Sequence, residues 1–303
     1  MNIKLGVDLG GTKTEIIALD QEGKTLLRRR VPTPAGDYQA TLSMIKALVT
    51  QADEQLGERY PIGFGAPGSP SPVDGKMRNC NSTCLNGQPL LEDLRKVLQR
   101  PVAIANDANC LALSEATDGA GAAAHSVFAV ILGTGVGAGI VINGEVLHGA
   151  NGIAGEWGHN PLPSPRDTER PGALCYCGRS GCIETFLSGP GLKRDHFNVT
   201  GEQREPQDIV TRAAANANTC EATLQRYEER LARTLAHVIN ILDPDVIVLG
   251  GGLSNLTRLY ENVPRLWNPY IFSDSVATQL RQNKHGDSSG VRGAAWLARS
   301  TNP

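Results

Sequence analysis

Apolar runs separated by glycine-rich turns recur along the chain, and one arrangement of them occurs twice. The first copy is an apolar strand over residues 5–9, a loop that starts at Gly10 and Gly11, and a β-rich run over residues 14–19. The second copy is an apolar strand over residues 129–132, a glycine loop, another apolar run and an Asn-Gly turn signal. The repeat predicts two similar α/β domains, each with a β-hairpin whose loop exposes backbone N–H groups.

Both glycine loops are typical of phosphate binding, although neither continues as the better-known phosphate motifs do. The first has the glycine spacing of a Walker A motif, but Thr12 stands where that motif has lysine, and a strand follows instead of a helix. The second fits the dinucleotide fingerprint, whose loop must also open a helix. We interpret both as phosphate-binding hairpin loops, with turns that bind no ligand as the alternative. The predicted residues are Gly6, Asp8, Gly10, Gly11, Thr12 and Lys13 in the first loop and Gly133, Thr134, Gly135, Gly137 and Gly139 in the second.

The helical spacing of apolar residues predicts a helix over residues 42–52 and a longer one over residues 221–242. A buried strand over residues 60–65 ends in a turn at Gly68. Ligands of α/β proteins usually bind at such strand ends, and glycine admits a sugar close to the backbone; a plain turn is the alternative. The amide-rich segment around Asn81 suits hydrogen bonds to hydroxyl groups, although such segments are more often simple turns.

Asp107 stands where a strand that ends at Asn106 passes into a helix. The simplest interpretation makes Asp107 the N-cap of that helix. A catalytic interpretation is also open, because a carboxylate at the end of a strand can accept the proton of a hydroxyl group that attacks a phosphate.

Three cysteines, Cys175, Cys177 and Cys182, fall within eight residues. Thiolates at this density suit a tetrahedral zinc ion, for which His159 is the nearest candidate fourth ligand; free thiols or a redox pair are the alternatives. The chain has seven cysteines in all, and an odd number without a regular framework argues against a disulfide scaffold.

Composition narrows the class of protein. A length of 303 residues with 40% hydrophobic content allows roughly two globular domains. The net charge of −2 gives no electrostatic case for a nucleic-acid partner. No apolar run approaches the roughly 20 residues of a membrane span, and no leader pattern is visible, so we expect a cytoplasmic protein with no membrane partner.

The second hairpin together with Gly155-Glu156-Trp157-Gly158-His159 and the cysteine set resembles the ROK family of bacterial sugar kinases and repressors. The resemblance implies an α/β, actin-like ATPase (ribonuclease H-like) fold with two similar domains and an interdomain active-site cleft. The first domain is expected over residues 1–118 plus about 290–303, and the second over residues 119–289. A homodimer is expected from the resemblance alone.

The resemblance also implies roles for individual residues. Asp107 matches the catalytic base, and His159 completes a structural zinc site with the three cysteines. Asp8 would help to hold Mg²⁺ at the phosphates of ATP, and Gly251 and Gly252 would lie against the adenosine. The sugar-binding residues implied are Gly68, Asn81, Asn106, Asp107, Glu156, His159 and Glu184. Because the zinc would fix the loop that carries Glu156, His159 and Glu184, its loss is expected to disable sugar binding while leaving the phosphate contacts untouched.

Within the family, the chain is most similar to fructokinases that also accept mannose, which implies transfer of phosphate from ATP to the 6-hydroxyl of fructose. A kinase for N-acetylglucosamine or glucose is the alternative. A sugar sensor without kinase activity is less consistent with the sequence, because Asp107 and both loops are intact. The repressors of the family carry an N-terminal helix-turn-helix domain, and we expect none here because the sequence begins at its phosphate strand.

Overall fold

A computed structural model describes residues 3–298 of the chain. The strands within these residues are β1 (Lys4–Leu9), β2 (Lys13–Leu19), β3 (Thr25–Pro32), β4 (Ile62–Ala66), β5 (Ser69–Pro70), β6 (Met77–Arg78), β7 (Val102–Asn106), β8 (Ser126–Leu132), β9 (Val136–Ile142), β10 (Glu145–Val146), β11 (Val246–Gly250) and β12 (Gln279–Gln282). The α-helices are α1 (Tyr38–Leu56), α2 (Leu90–Leu98), α3 (Asp107–Thr117), α4 (Glu184–Leu187), α5 (Gly189–Thr200), α6 (Pro206–Ala214), α7 (Asn218–Leu242), α8 (Leu259–Trp267) and α9 (Ser289–Leu297).

The described residues form two compact units. The first comprises residues 3–123, 139–154 and 284–298, and the second comprises residues 124–138 and 155–283. Residues 139–154, which the sequence pattern places in the second domain, group with the first unit, where Gly139 of β9 approaches the carbonyl of Ala108 in α3. Residues 299–303, the end of the expected first domain, lie outside the described residues.

The first sheet has the strand order β3-β2-β1-β4-β7. Strands β1, β2 and β3 form an antiparallel meander, which confirms the predicted first hairpin, whereas β1, β4 and β7 are parallel. Asp8 of β1 is in register with Gly65 of β4, and Ala66 is in register with Asn106 of β7. The carboxyl ends of three parallel strands therefore meet at one edge of the sheet, and Asp107 follows directly there.

Side chains of the first sheet alternate between two buried layers. Ile16 and Ala18 of β2 belong to a cluster with residues of α1 and α2, whereas Ile17 and Leu19 belong to a cluster with Val291 and Ala295 of α9. The sheet is thus covered by helices on both faces. The predicted helix over residues 42–52 is confirmed as part of α1.

The second sheet has the strand order β10-β9-β8-β11-β12, in which β8, β11 and β12 are parallel. The glycine loop between β8 and β9 confirms the predicted second strand-loop-strand unit. The longest described helix, α7, spans 25 residues, and none of the helices between residues 3 and 298 has the length and apolar character needed to cross a bilayer.

Buried ion pairs tie the loop after β10 to helix α7. Glu169 is 6% exposed, and its carboxylate accepts hydrogen bonds from Arg230 Nε at 2.7 Å and Arg233 Nη2 at 2.9 Å. These donors lower the pKa of Glu169, although burial acts in the opposite direction. Buried charges are stable only when paired in this way, so the network fixes the position of the loop.

Close packing of strand β1 against helix α9 requires a glycine at position 6. It lies within β1, and an added Cβ would overlap the backbone of Val291 and Ala295 in α9. The Gly6→Ala variant is therefore expected to lose about 1–3 kcal/mol of unfolding free energy, measured by urea denaturation. Gly252→Ala is the matched control, because a Cβ there meets no atom within 4 Å. Equal stability of the two variants would contradict the packing role of Gly6.

Candidate functional site

Two carboxylates lie at the carboxyl edge of the first sheet, of which Asp8 is half-buried and Asp107 is exposed to solvent. Asp8 is the fifth residue of β1, and Asp107 is the first residue of α3. Burial, more than any other factor, raises the pKa of Asp8 to about 6, and the neighbouring charges of Asp107 and Glu15 raise it further. Desolvation by the surrounding protein also raises the pKa of Asp107, although this residue is exposed, while the N–H of Ala108, which donates to its Oδ1 at 2.8 Å, opposes the shift. Such a pair has a high affinity for a proton or a cation.

The N-cap of α3 is Asn106, and the interpretation of Asp107 as the cap is wrong. The Oδ1 atom of Asn106 accepts a hydrogen bond from the N–H of Asn109 at 2.7 Å, and Asn106 has extended backbone angles. Asp107 lies one residue further along the helix, so its carboxylate is not needed for capping. The side chain of Asn106, predicted to bind sugar, uses its carbonyl oxygen within the protein.

The first hairpin loop is exposed at its tip. Gly11, Thr12 and Lys13 are exposed, and the N–H of Gly10 donates to the carbonyl of Lys13 at 3.1 Å. Thr33 Oγ1 donates to the carbonyl of Gly10 at 2.8 Å and so holds the base of the loop. The tip is therefore available to a ligand, whereas Gly6, predicted with it, lies against α9.

Two segments near the carboxyl edge of β4 carry the remaining predicted residues of the first unit. Gly68 has a positive φ of 73°, and a Cβ there would overlap the carbonyl of Arg78, so the turn itself requires glycine. Asn81 is exposed. Its neighbour Ser82 was not predicted, and its Oγ lies 2.8 Å from the position that a Cβ of Gly11 would occupy. The sequence contains no signal for this long-range contact.

The predicted metal ligands come together in the second unit. One ligand atom from each of His159, Cys175, Cys177 and Cys182 lies within 4.8 Å of the others. The Sγ atoms of Cys177 and Cys182 are 3.6 Å apart, and Cys175 Sγ is 3.5 Å from His159 Nδ1. Three sulfur atoms and one nitrogen atom at these separations fit a tetrahedral zinc ion with no open position.

The thiols of this cluster differ in acidity. Hydrogen bonds from Arg179 lower the pKa of the exposed Cys177 to about 6, whereas burial raises the pKa of Cys182 to about 12. A metal ion would favour the thiolate form of all three cysteines.

His159 has a second partner that the sequence did not reveal. Its Nε2 lies 2.8 Å from the hydroxyl of Tyr176, and the two rings meet edge to face. With Nδ1 directed at the thiols, Nε2 is the nitrogen that a sugar would contact, and it is already in contact with Tyr176. Glu156, the other predicted sugar residue of this turn, is exposed.

The second hairpin loop is held from the start of α4. The N–H of Val136 donates to Oε2 of Glu184 at 2.9 Å, and the N–H of Gly133 donates to the carbonyl of Gly135 at 3.0 Å. Thr134 at the tip is exposed, while Gly137 lies within β9. Glu184, predicted only as a sugar ligand, thus also contacts a predicted phosphate loop.

The segment after β11 contains the residues predicted to meet adenosine. Gly251 has a positive φ of 82°, and a Cβ there would lie 2.5 Å from the carbonyl oxygen of Leu132. Gly252 has open space around its Cα. The first glycine is therefore required by the backbone, and the second leaves a surface accessible to a ligand.

Comparisons with known proteins find similar sequences and folds over almost the whole chain. The sequence profile of the ROK family matches residues 4–301. The N-acetyl-D-glucosamine kinase of Yersinia pseudotuberculosis is 38% identical over 296 residues, which are 96% of this chain and 97% of that protein. A ROK hexokinase from Thermus thermophilus has a TM-score of 0.87 at 29% identity, covering 98% of this chain and 97% of its own. A ROK glucokinase from Streptomyces griseus, solved with glucose and AMPPNP, has a TM-score of 0.78 at 28% identity, covering 98% and 99%.

The raised pKa of Asp8 predicts a pH-dependent stability difference. Because the pKa rises from 3.8 to about 6 on folding, the folded state binds more protons in that range, and stability falls as the pH rises through it. Asp8→Asn lacks this titration. Its unfolding free energy relative to the wild type should rise between pH 4 and 6 and stay up to about 3 kcal/mol higher above pH 6.

Urea denaturation between pH 4 and 8, without nucleotide or magnesium, measures this difference. Asp274→Asn, which changes an exposed carboxylate, is the control and should follow the wild type. An Asp8→Asn variant that is less stable than the wild type at pH 8 would show that the charge of Asp8 is compensated within the fold.

Proposed function

This chain belongs to the ROK family and is a sugar kinase, and on that premise we propose that it transfers the γ-phosphate of MgATP to the 6-hydroxyl of a hexose. The observation that carries the proposal is a pair of carboxylates, the half-buried Asp8 and the exposed Asp107, at the carboxyl edge of parallel strands and next to an exposed glycine loop. Phosphoryl transfer requires a carboxylate for the attacking hydroxyl and a cation site at the phosphates.

Asp107 is the general base of this proposal. Its raised pKa makes the carboxylate a better proton acceptor than an aspartate with an ordinary pKa, and the N–H of Ala108 orients one of its oxygen atoms. Asp8 would hold the magnesium that accompanies ATP, directly or through water. Backbone N–H groups of the two glycine loops would donate to the phosphates.

The candidate sugar-binding residues are Gly68, Asn81 and Asn106 in the first unit and Glu156, His159 and Glu184 in the second. A hydroxyl-rich ligand requires several such polar partners, because each hydroxyl group buried without one costs free energy.

The acceptor that the comparisons favour is N-acetyl-D-glucosamine, because the relatives at 38% identity are kinases of that sugar. This supports the alternative from the sequence over fructose. Fructose stays the second candidate because the segments Asn-Ser-Thr-Cys-Leu-Asn-Gly-Gln-Pro and Lys-His-Gly-Asp-Ser-Ser-Gly-Val-Arg-Gly-Ala-Ala-Trp resemble the fructokinases of the family.

A structural zinc ion is part of the proposal. His159, Cys175, Cys177 and Cys182 would hold it, and bound zinc would supply a rigid cross-link between the turn of residues 157–159 and the loop of residues 175–182. It would take no part in phosphoryl transfer, since four protein ligands leave no position for substrate.

A coupled assay for ADP release tests the proposed activity. Zinc-replete protein with MgATP is expected to phosphorylate N-acetylglucosamine or fructose with a higher kcat/KM than mannose or glucose. Asp107→Asn should lower kcat by about 10²–10⁴-fold, because it removes the proton acceptor. Circular dichroism establishes that this variant is folded. Absence of turnover with every hexose would overturn the proposed function, and full activity of Asp107→Asn would overturn its role as base.

Metal analysis tests the zinc proposal separately. The purified protein is expected to contain about one zinc ion per chain, and Cys182→Ser should lose it because one of four ligands is removed. Cys84→Ser, which changes a cysteine outside the cluster, is the matched control and should retain the metal. Zinc retained by Cys182→Ser, or absent from the wild type, would contradict the site.

A further inference from the structure

The carboxylate of Glu184 lies beside Gly135, in the space that a Cβ at position 135 would occupy. Its Oε2 accepts the N–H of Val136 at 2.9 Å, and a Cβ on Gly135 would lie 2.7 Å from the same oxygen. The backbone of Gly135 does not require glycine, because its φ lies outside the left-handed region. A methyl group at position 135 would therefore displace the carboxylate of Glu184.

The loop is held at a second point by the same segment. Gly189, the first residue of α5, donates its N–H to the carbonyl of Gly133 at 2.8 Å. The N–H of Ser188 donates to the carbonyl of Glu184 at 3.2 Å, which closes the corner between α4 and α5. Residues 184–189 thus hold both sides of the tip at Thr134.

The loop of residues 175–182, which carries the three predicted cysteine ligands, also contacts Glu184 and its neighbour Thr185. Oε1 of Glu184 lies 4.0 Å from Sγ of Cys175, and the N–H of Thr185 donates to the carbonyl of Cys182 at 2.8 Å. Gly158, next to His159, lies so close to Val136 that a Cβ would overlap the carbonyl oxygen of Val136. Both polar groups of the Val136 backbone are therefore in contact with segments that carry predicted sugar ligands.

We propose that Val136 couples the sugar site to the phosphate loop, with Glu184 as the positioning residue. The Glu184–Val136 hydrogen bond and the Gly158–Val136 contact make the sugar-binding side chains and the loop of residues 133–137 move as one. Binding of the sugar then raises the affinity for nucleotide, and by thermodynamic linkage nucleotide raises the affinity for sugar by the same factor. This inference rests on the proposed function.

The coupling contradicts one expectation from the sequence, namely that loss of zinc leaves the phosphate contacts untouched. Because Cys175 and Cys182 contact Glu184 and Thr185, we expect loss of the zinc ion to weaken nucleotide binding as well.

Isothermal titration calorimetry with N-acetylglucosamine, fructose and MgADP tests the coupling without turnover. Gly135→Ala should weaken sugar binding in the absence of nucleotide by about tenfold, since its methyl group displaces a charged hydrogen-bond acceptor. Gly189→Ala is the control, because it adds a methyl group beside the same loop, but its Cβ would lie at an ordinary contact distance, 3.5 Å from the carbonyl oxygen of Gly133, and no atom of Glu184 is among its neighbours. Its sugar affinity should stay within about twofold of the wild type. Equal sugar affinities of the two variants would overturn the proposal.

Variants of Glu184 give an independent measurement. The coupling factor is the ratio of sugar dissociation constants without and with MgADP. Glu184→Gln keeps an acceptor for Val136 and should retain a factor above one even if sugar binding weakens, whereas Glu184→Ala should give a factor of about one. A wild-type factor of one, or an unchanged factor in Glu184→Ala, would overturn the inference. Failure of the proposed function would instead appear as no turnover by the wild type.

Discussion

The convergence of β1, β4 and β7 on one sheet edge is the constraint on which the candidate site depends. It brings Asp8 and Asp107 to the same edge of the sheet, where the charge of Asp107 disfavours ionisation of Asp8. Asn106 makes the arrangement possible because it caps α3 and leaves the next carboxylate available. Ionisation of Asp8, whose pKa is raised to about 6, lowers the stability of the empty protein, which is a common cost of a preorganised site.

The elements that were predicted correctly are marked by patterns of neighbouring residues in the sequence. The apolar runs, the glycine loops and the Asn-Gly turn are adjacent in the chain, and they predicted both hairpins and the two-sheet α/β fold. The cysteine spacing likewise predicted three ligands close together, and His159, the predicted fourth ligand, lies with them although it precedes Cys175 by 16 residues. The hairpins and the three cysteines are each formed by residues that are near one another in the sequence.

Features that depend on contacts between distant segments were not predictable in this way. Gly6 has the spacing of a phosphate loop, but α9, almost three hundred residues later, explains it. The contact of Ser82 with Gly11 and that of Tyr176 with His159 bring together residues whose types give no sign of partnership. Nothing near Gly135 in the sequence indicates Glu184. Tertiary packing, rather than local propensity, decides these positions.

The exposed thiol of Cys177 affects how a newly synthesised chain would acquire the proposed zinc ion. Hydrogen bonds from Arg179 favour its thiolate, the form that oxidants attack, and Cys182 lies 3.6 Å away. With the proposed zinc site, a newly made chain would face a competition between metal binding and oxidation at the sulfur atom of Cys177. Zinc supply and redox state of the cell would together set the fraction of chains that mature.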